Sequence, residues 1–306
     1  MKNMKAEQPL VSIIITNWNY GRYIKKAIDS VLKQDYKNWE LIIVDDGSTD
    51  DSLKVIEKIV LQNHDKPIRL FALPKNEGPC FSRNKGLATI KGDYFIFVDA
   101  DDTIPENFIS EMAAAAVYGK LDVVYCDLSL RGIYDNVMKI STQSVKNLIN
   151  FSAAPVCQLT KSKWAKSHKF DSYLNRLANE DNDFFFGLFA DGAKFGKTNK
   201  TTYNYFVHKE GRAPKETDES YYKPRVYILK KYSDRYPEVL DGIVTLFASK
   251  DRQIKELENR INEMAGEINN RDAIIDDKDK HLNTIINSRS YKIGRSITAP
   301  IRKIRG

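Results

Sequence analysis

Short apolar runs rich in β-branched residues alternate, over the first 130 residues, with longer stretches whose apolar positions recur every three or four residues. LVSIIIT (10–16), WELIIVDD (39–46), IRLFALP (68–74), YFIFVDA (94–100) and LDVVYCDLSL (121–130) are the expected strands. YIKKAIDSVLKQ (23–34), SLKVIEKIVLQN (52–63), FSRNKGLATI (81–90) and ENFISEMAAAAVYG (106–119) are the expected helices. The serine and aspartates of GSTDDS stand where the second helix needs an N-cap, and Pro105 precedes the fourth. Strict alternation of this kind predicts an α/β domain, a mostly parallel sheet with flanking helices. Past residue 130 the periodicity weakens, and only a helix near 181–192 is legible.

From Ile254 the period changes. Ile254, Ile261, Ile268, Ile275 and Leu282 recur every seven residues; Leu257, Met264 and Ile285 hold the companion position, which Arg271 and Lys278 interrupt in the middle. Such heptads predict a coiled coil over 250–286, most simply joining copies of the chain in a homo-oligomer, or else a helix docked on the chain's own domain. The expected organisation is a domain over 1–215, a helical connector over 216–249, a coiled coil or docking helix over 250–287 and a basic amphipathic tail over 288–306.

With 306 residues, 42% of them hydrophobic, the chain can bury one sizeable core and still carry an appendage. Its net charge of +7 is nearly matched by the tail alone, where Arg289, Lys292, Arg295, Arg302, Lys303 and Arg305 meet no acid. With Tyr291, Ile293, Ile297 and Ile301 between them, these cations suit an anionic bilayer surface at the inner face of the plasma membrane; a solvated tail folding back on the acidic heptad segment is the alternative. Nucleic acid is not expected as a partner, because the cations lie in the tail while the candidate ligand crevice is acidic. Cys80, Cys126 and Cys157 are odd in number and never form CxxC, which fits a reducing cytoplasm. The first apolar run is too short for a signal segment, and no window reaches the roughly 20 apolar residues of a membrane span, so a soluble or peripheral protein is expected.

FIFVDADDTIPENF (95–108) sets Asp99, Asp101 and Asp102 directly behind a buried strand. Residues two apart in extended backbone point to one side, about 6–7 Å from each other, so Asp99 and Asp101 can aim into a single crevice at the strand's carboxyl end. Crowded carboxylates there suit a hard cation, Mg²⁺ or Mn²⁺, that carries substrate phosphates. The plainer alternative is a turn in which Asp102 or Thr103 caps the next helix. Asp45 and Asp46 in VDDGSTD end the second strand in the same way. No GxGxxG follows the first strand, where TNWNYG stands, which sets aside a dinucleotide-dependent oxidoreductase.

VSIIITNWNYGRYIKKAIDSVLKQ, WELIIVDDGSTD, NEGPCFSRNKGL and GDYFIFVDADDTIPENF, in this order and spacing, resemble the nucleotide-sugar-binding half of the family-2 glycosyltransferases. The likeness covers residues 9–130, with weaker motifs to residue 212. It implies a GT-A type, Rossmann-like sheet and an inverting, metal-dependent hexosyl- or N-acetylhexosaminyltransferase of cell-surface polysaccharide synthesis. The donor it implies is a nucleotide-diphosphate sugar, UDP-linked, and the acceptor a glycan or a lipid-linked glycan. Thr16 and Trp18 match positions that line the base pocket, and Asp46 one that accepts from a base N–H. Arg83 and Asn84 match positions beside the diphosphate and sugar, where the alternative for Arg83 is a solvated charge. Asp99 and Asp101 match the DxD motif, with Asp101 as direct metal ligand and Asp99 nearer the ribose or the metal's waters. NEDNDFFFGL is similar to the family's ED motif, making Asp181 the general base and Glu180 its neighbour; desolvation ahead of an aromatic helix would raise a carboxylate pKa there. The alternative at that point is helix capping by Asn179 or Asp181. His208 in TYNYFVHKEGR matches a metal or diphosphate contact, but Phe206 stands where the family has an arginine, leaving Lys209 or Arg212 to substitute. A different reading keeps the domain as a catalytically silent scaffold with the coiled coil as its working part; the intact Asp99, Asp101 and Asp181 count against it.

Overall fold

The computed structural model describes residues 8–141, 144–146, 155–208, 219–237, 239–289 and 292–293. In chain order the elements are β1 (Val11–Asn17), α1 (Ile24–Leu32), β2 (Trp39–Asp45), α2 (Ser52–Gln62), β3 (Ile68–Ala72), α3 (Pro79–Leu87), β4 (Tyr94–Asp99) and α4 (Phe108–Tyr118). There follow β5 (Val123–Gly132), β6 (Asn136–Met138), β7 (Leu159–Lys161), α5 (Trp164–Ser167), α6 (Glu180–Ala190), β8 (Phe195–Val207), α7 (Glu219–Tyr232) and α8 (Val239–Asn287).

The strands form one mixed sheet in the order β3-β2-β1-β4-β7-β5-β6, with β8 pairing β5. β3, β2, β1 and β4 run parallel, as β-α-β alternation requires; β7 enters antiparallel between β4 and β5. Alternate residues of each strand point to opposite faces. Ile13, Ile15, Leu41, Ile43, Ile96 and Val98 pack against α1, α2 and α4. Ile14, Ile42, Val44, Phe95 and Phe97 pack on the other side with Cys80 and Leu87 of α3 and Phe184, Phe185 and Leu188 of α6. Burying both faces explains why these strands read as continuous apolar runs.

The expected elements to residue 130 are present, with shifted ends. α3 begins at Pro79 rather than Phe81, because Gly78 at φ +96° turns the chain and proline suits the first helical position. α4 begins at Phe108 rather than Glu106. The largest element not foreseen is β8, whose FGKTNKTTYNYFV carries few apolar residues; among the described strands it pairs with β5 alone, where polar positions are tolerated.

The chain divides into two compact units, Met1–Ile243 and Val244–Gly306. No helix among the described residues is long and apolar enough to cross a membrane. Cys80, Cys126 and Cys157 are buried and unpaired. The basic tail expected over 288–306 lies outside the described residues, except for Ser288, Arg289, Lys292 and Ile293; Lys209 and Arg212 lie outside them too.

Candidate active site

The parallel strands end level with one another. Register pairs Thr16 with Asp99 across β1 and β4, and Asn17 with Asp45 across β1 and β2, so the loops that follow share one edge of the sheet. Ligands of open α/β sheets bind at this carboxyl edge. Thr16 is half-buried there and Trp18 is 37% exposed.

The first aspartate pair fastens this edge. Asp45 accepts from the Asn17 side-chain amide (2.7 Å), the Ser48 N–H (3.0 Å) and the Ser48 hydroxyl (2.7 Å). Asp46 accepts from the backbone N–H groups of Glu77 and Gly78, both at 2.8 Å, as the chain turns into α3. Gly47 next to it has φ +64°, and a Cβ there would lie 2.4 Å from the Lys75 backbone, so only glycine permits the approach. Each Asp46 oxygen thus already holds a loop, and a base contact at this residue would use its remaining lone pairs. Asp50, not Asp46, serves α2, accepting the Ser52 N–H at 2.9 Å and the Gly21 N–H at 3.0 Å.

The second set is stitched to β8. The Asp99 N–H donates to the Tyr203 hydroxyl (3.0 Å), Asp102 accepts from the Phe206 N–H (2.7 Å), and Thr103 and Asn204 exchange backbone hydrogen bonds at 3.2 and 3.1 Å. Asp102 therefore does not cap α4; it holds a strand more than a hundred residues away. Burial pushes its pKa up to about 9, the Asp99 charge pushes the same way, and the Phe206 N–H opposes. Asp99 is also raised by burial; Arg83 opposes that shift, while Asp101 and Glu180 add to it. Asp101 lies 2.9 Å from Nε2 of His208. The imidazole is boxed by Phe206 (4.9 Å between ring centres), Tyr23 (5.0 Å) and Tyr20 (6.5 Å), so Phe206 supplies an aromatic wall where the family arginine would stand.

Arg83 on α3 joins this set to α6. Its guanidinium donates to Glu180 at 2.6 Å and to Asp99 at 3.4 Å and lies over the Phe170 ring, 5.4 Å from its centre. With a side chain only 10% exposed, it is no solvated surface charge. Asn84 bonds the Phe170 backbone at both ends of its amide, each at 2.8 Å, which anchors the segment leading to α6.

The three acids of the first turn of α6 do different work. Glu180 meets Arg83. Asp183 takes Lys231 (2.8 Å) and the Tyr232 hydroxyl (3.1 Å), both from α7, and Lys231 also bonds Asp171 at 2.8 Å. Asp181 accepts the N–H of Asn182 at 2.8 Å. Burial lifts its pKa to about 7 and the Glu180 charge adds to the lift, with Arg83 opposing. Asn179, at φ +72°, makes no side-chain cap bond, so the capping alternative for this turn rests on Asp181 alone.

The donor set fits a hard cation in one particular way. Among the described residues no three His, Cys, Asp or Glu side chains stand close enough together to cage an ion. Asp101 and His208, already paired, would offer two ligands, and the rest would come from diphosphate oxygens and water, as Mg²⁺ and Mn²⁺ sites in phosphate chemistry are built. Sequence reasoning missed Tyr203 and Tyr205, and offered Asp102, seen beside Asp99 and Asp101, only a helix cap as its own role. Tyr205, 40% exposed, follows Tyr203 by two residues on β8, and partial burial together with the charges of Asp102, Asp99, Asp101 and Asp181 pushes its hydroxyl up to about 12. The only signal for Tyr203 and Tyr205 was the two-residue alternation of TYNYF, hidden by threonines.

A mostly parallel sheet with helices on both faces and an acidic carboxyl edge defines a GT-A type α/β protein. The structure is similar to that of S. aureus TarS 1–349, with a TM-score of 0.62 at 20% identity over 79% of this chain and 73% of that one. The same protein in complex with UDP-GlcNAc gives 0.62 at 20% identity, over 73% and 66% of the two chains. The mannosyltransferase PcManGT of Pyrobaculum calidifontis, in complex with GDP-Man and Mn²⁺, gives 0.54 at 15% identity, over 81% and 76%. Residues 12–186 match the family described as Glycosyl transferase family 2, and the chain belongs to that family. An uncharacterized glycosyltransferase of Haemophilus influenzae is 37% identical over 138 residues, 45% of this chain and 54% of its own length. The putative teichuronic acid biosynthesis glycosyltransferase TuaG of Bacillus subtilis is 43% identical over 98 residues, 31% and 37% of the two lengths. The chain thus spans about half or less of these relatives.

Proposed function

We propose that this protein is a cytoplasmic, inverting glycosyltransferase that moves a hexosyl or N-acetylhexosaminyl group from a UDP-linked donor to a glycan or lipid-linked acceptor in cell-surface polysaccharide synthesis. The observation that carries the reading is the Arg83 bridge: one buried guanidinium bonds Glu180 of α6 and Asp99 of β4, drawing the two acidic clusters to a single edge of the sheet. The polysaccharide setting is supported by the likeness to TuaG, and the donor class by the likeness in fold to TarS and PcManGT, whose complexes hold UDP-GlcNAc and GDP-Man.

In this reading Thr16 and Trp18 flank the base, with Asp46 at its edge, and Asn84 and Arg83 hold the segment beside the diphosphate and sugar. Asp101 and His208 hold Mn²⁺ or Mg²⁺, with Asp99 beside them. Such a cation, when bound, neutralises the charge of the departing diphosphate. Asp181 takes the proton of the acceptor hydroxyl as that oxygen bonds the anomeric carbon. The bond from that carbon to the diphosphate oxygen breaks on the opposite face, and UDP leaves with the electron pair. A carboxylate titrating near 7 is matched to this task, ionised often enough to accept and basic enough to pull. Calorimetric titration of UDP with and without Mn²⁺ tests the donor site. Metal-dependent binding that Asp101→Ala abolishes is expected; equal affinity in both proteins would overturn the metal assignment.

A further inference from the structure

Beyond Val244 the long helix α8 presents an apolar stripe to solvent. Ile254, Leu257, Ile261, Met264, Ile268, Ile275, Leu282 and Ile285 are each at least 44% exposed. Their strict seven-residue repeat follows one face only if the helix supercoils, since a straight helix drifts by about 20° per heptad. The segment is also a poor helix by itself. Gly266, six asparagines, four aspartates and Thr284 fall between residues 254 and 287, and all are weak helix formers. A solitary helix of that composition does not hold in water, so its stability has to come from covering the stripe.

Charge decides what covers it. Residues 254–287 carry five Lys or Arg against eight Asp or Glu, a net charge of −3, which an anionic bilayer repels. A second copy would be repelled too unless its acids were matched, and the pattern matches them. Arg271 and Lys278 occupy the d positions of the stripe, and each is followed at once by an acid at e, Asp272 and Asp279. In a parallel, in-register pair a d side chain packs against the d and e residues of the other helix. Arg271 then meets the partner's Asp272, and Lys278 meets the partner's Asp279. Isoleucine at four of the five a positions, with Leu257 at d, favours two strands, and polar core layers fix register at some cost in stability.

We propose that residues 254–285 form a parallel, in-register, two-stranded coiled coil between two copies of this chain, with Arg271 and Lys278 as charge-matched layers. The inference does not depend on the donor or acceptor of the catalytic unit.

The test is sedimentation equilibrium on the full chain over a wide concentration range, combined with cysteine cross-linking. The expected mass is twice the 35.1 kDa of one chain. Ile261→Asp with Ile268→Asp should raise the dissociation constant by about a hundredfold or more. The same variant should lose helical circular dichroism, with the melting of the 1–243 unit unchanged as a control on folding. Leu257→Cys should cross-link to itself under mild oxidation, because the native cysteines are buried. A monomer at every concentration would overturn the proposal, as would a trimer. A dimer in which Leu257→Cys cross-links only to a chain carrying Leu282→Cys would overturn it as well, since that pairing is antiparallel.

Discussion

Two strands of the sheet end in clustered aspartates, and folding treats the clusters differently. At the end of β2, Asp45 receives three donors and Asp46 two, all within 3.0 Å and all from the end of β1 or from neighbouring loops. At the end of β4, Arg83 reaches Asp99 only at 3.4 Å while bonding Glu180 at 2.6 Å, Asp101 faces His208 at 2.9 Å, and Asp102 accepts the Phe206 N–H. Burial lifts the pKa values of Asp99 and Asp102, and Asp181 across the bridge is lifted with them. A carboxylate that the fold supplies with donors is a fastener. One that the fold buries short of donors is set for a ligand that brings positive charge, and perturbed groups of that kind cluster at sites of chemistry.

Removing a member of the second cluster breaks the contrast most sharply. Asp101→Ala should cut donor cleavage by about a thousandfold or more, the scale of losing the main electrostatic stabiliser of a transition state, while leaving the melting temperature unchanged or higher. Next in size is the acid limb of the rate. Because Asp181 must be ionised to accept a proton and titrates near 7, kcat/KM should fall about tenfold per pH unit below that point. Asp181→Asn should abolish transfer and leave UDP affinity intact. A pH-independent rate between 5 and 8, as rough bounds, would remove Asp181 from the base role.

How much of this was legible in the sequence follows from what each residue touches. β1, β2 and β4 were plain because both their faces are buried, and β3, only half-buried, was plain from its place in the strand and helix alternation. The motif residues were plain because each lies within a few positions of a strand or helix end. The partners of Asp102 and Asp46 were not: their hydrogen bonds run to Phe206 and to Glu77 and Gly78, 104 and about 31 residues away, and no local pattern announces such partners. Capping the nearest helix was the natural local expectation for Asp102, and it is the long-range bond that displaces it. Tyr203 and Tyr205 were hidden because β8 needs an apolar face along only part of its length. Lys231 was beyond reach, since its pairing with Asp171 and Asp183 depends on α7 folding back on α6.

The fastener side of the contrast predicts a loss of stability instead of chemistry. Asp45→Ala leaves the buried Asn17 amide with only the Ser48 hydroxyl, 3.1 Å away, and takes the acceptor from the half-buried Ser48 N–H, which should cost about 2 kcal/mol in urea denaturation. Donor cleavage per folded molecule should change little. A variant that kept full stability yet lost cleavage would mean that Asp45 belongs with the reactive cluster after all.

The smallest expected effect separates crowding from mere burial. Asp102→Asn keeps an oxygen for the Phe206 N–H, which Asp102 accepts at 2.7 Å, and removes only the group's ability to ionise. The carboxyl titrates near 9 in the folded protein and at an ordinary carboxylate value, about 4, when unfolded, so the folded state binds its proton more tightly. Its stabilising contribution is fully present below about pH 4 and is lost as pH rises toward 9. Asp102→Asn has no such proton to lose. It should therefore melt close to wild type near pH 5 and several degrees above it near pH 8, both rough settings for a thermal-shift series. Mn²⁺ with UDP should narrow the gap at the higher pH, because added positive charge relieves the same repulsion that the substitution removes. A gap that stayed constant with pH would show that Asp102 is held by its hydrogen bond and shape alone, and the line drawn between the two clusters would then fall between Asp101 and Asp102.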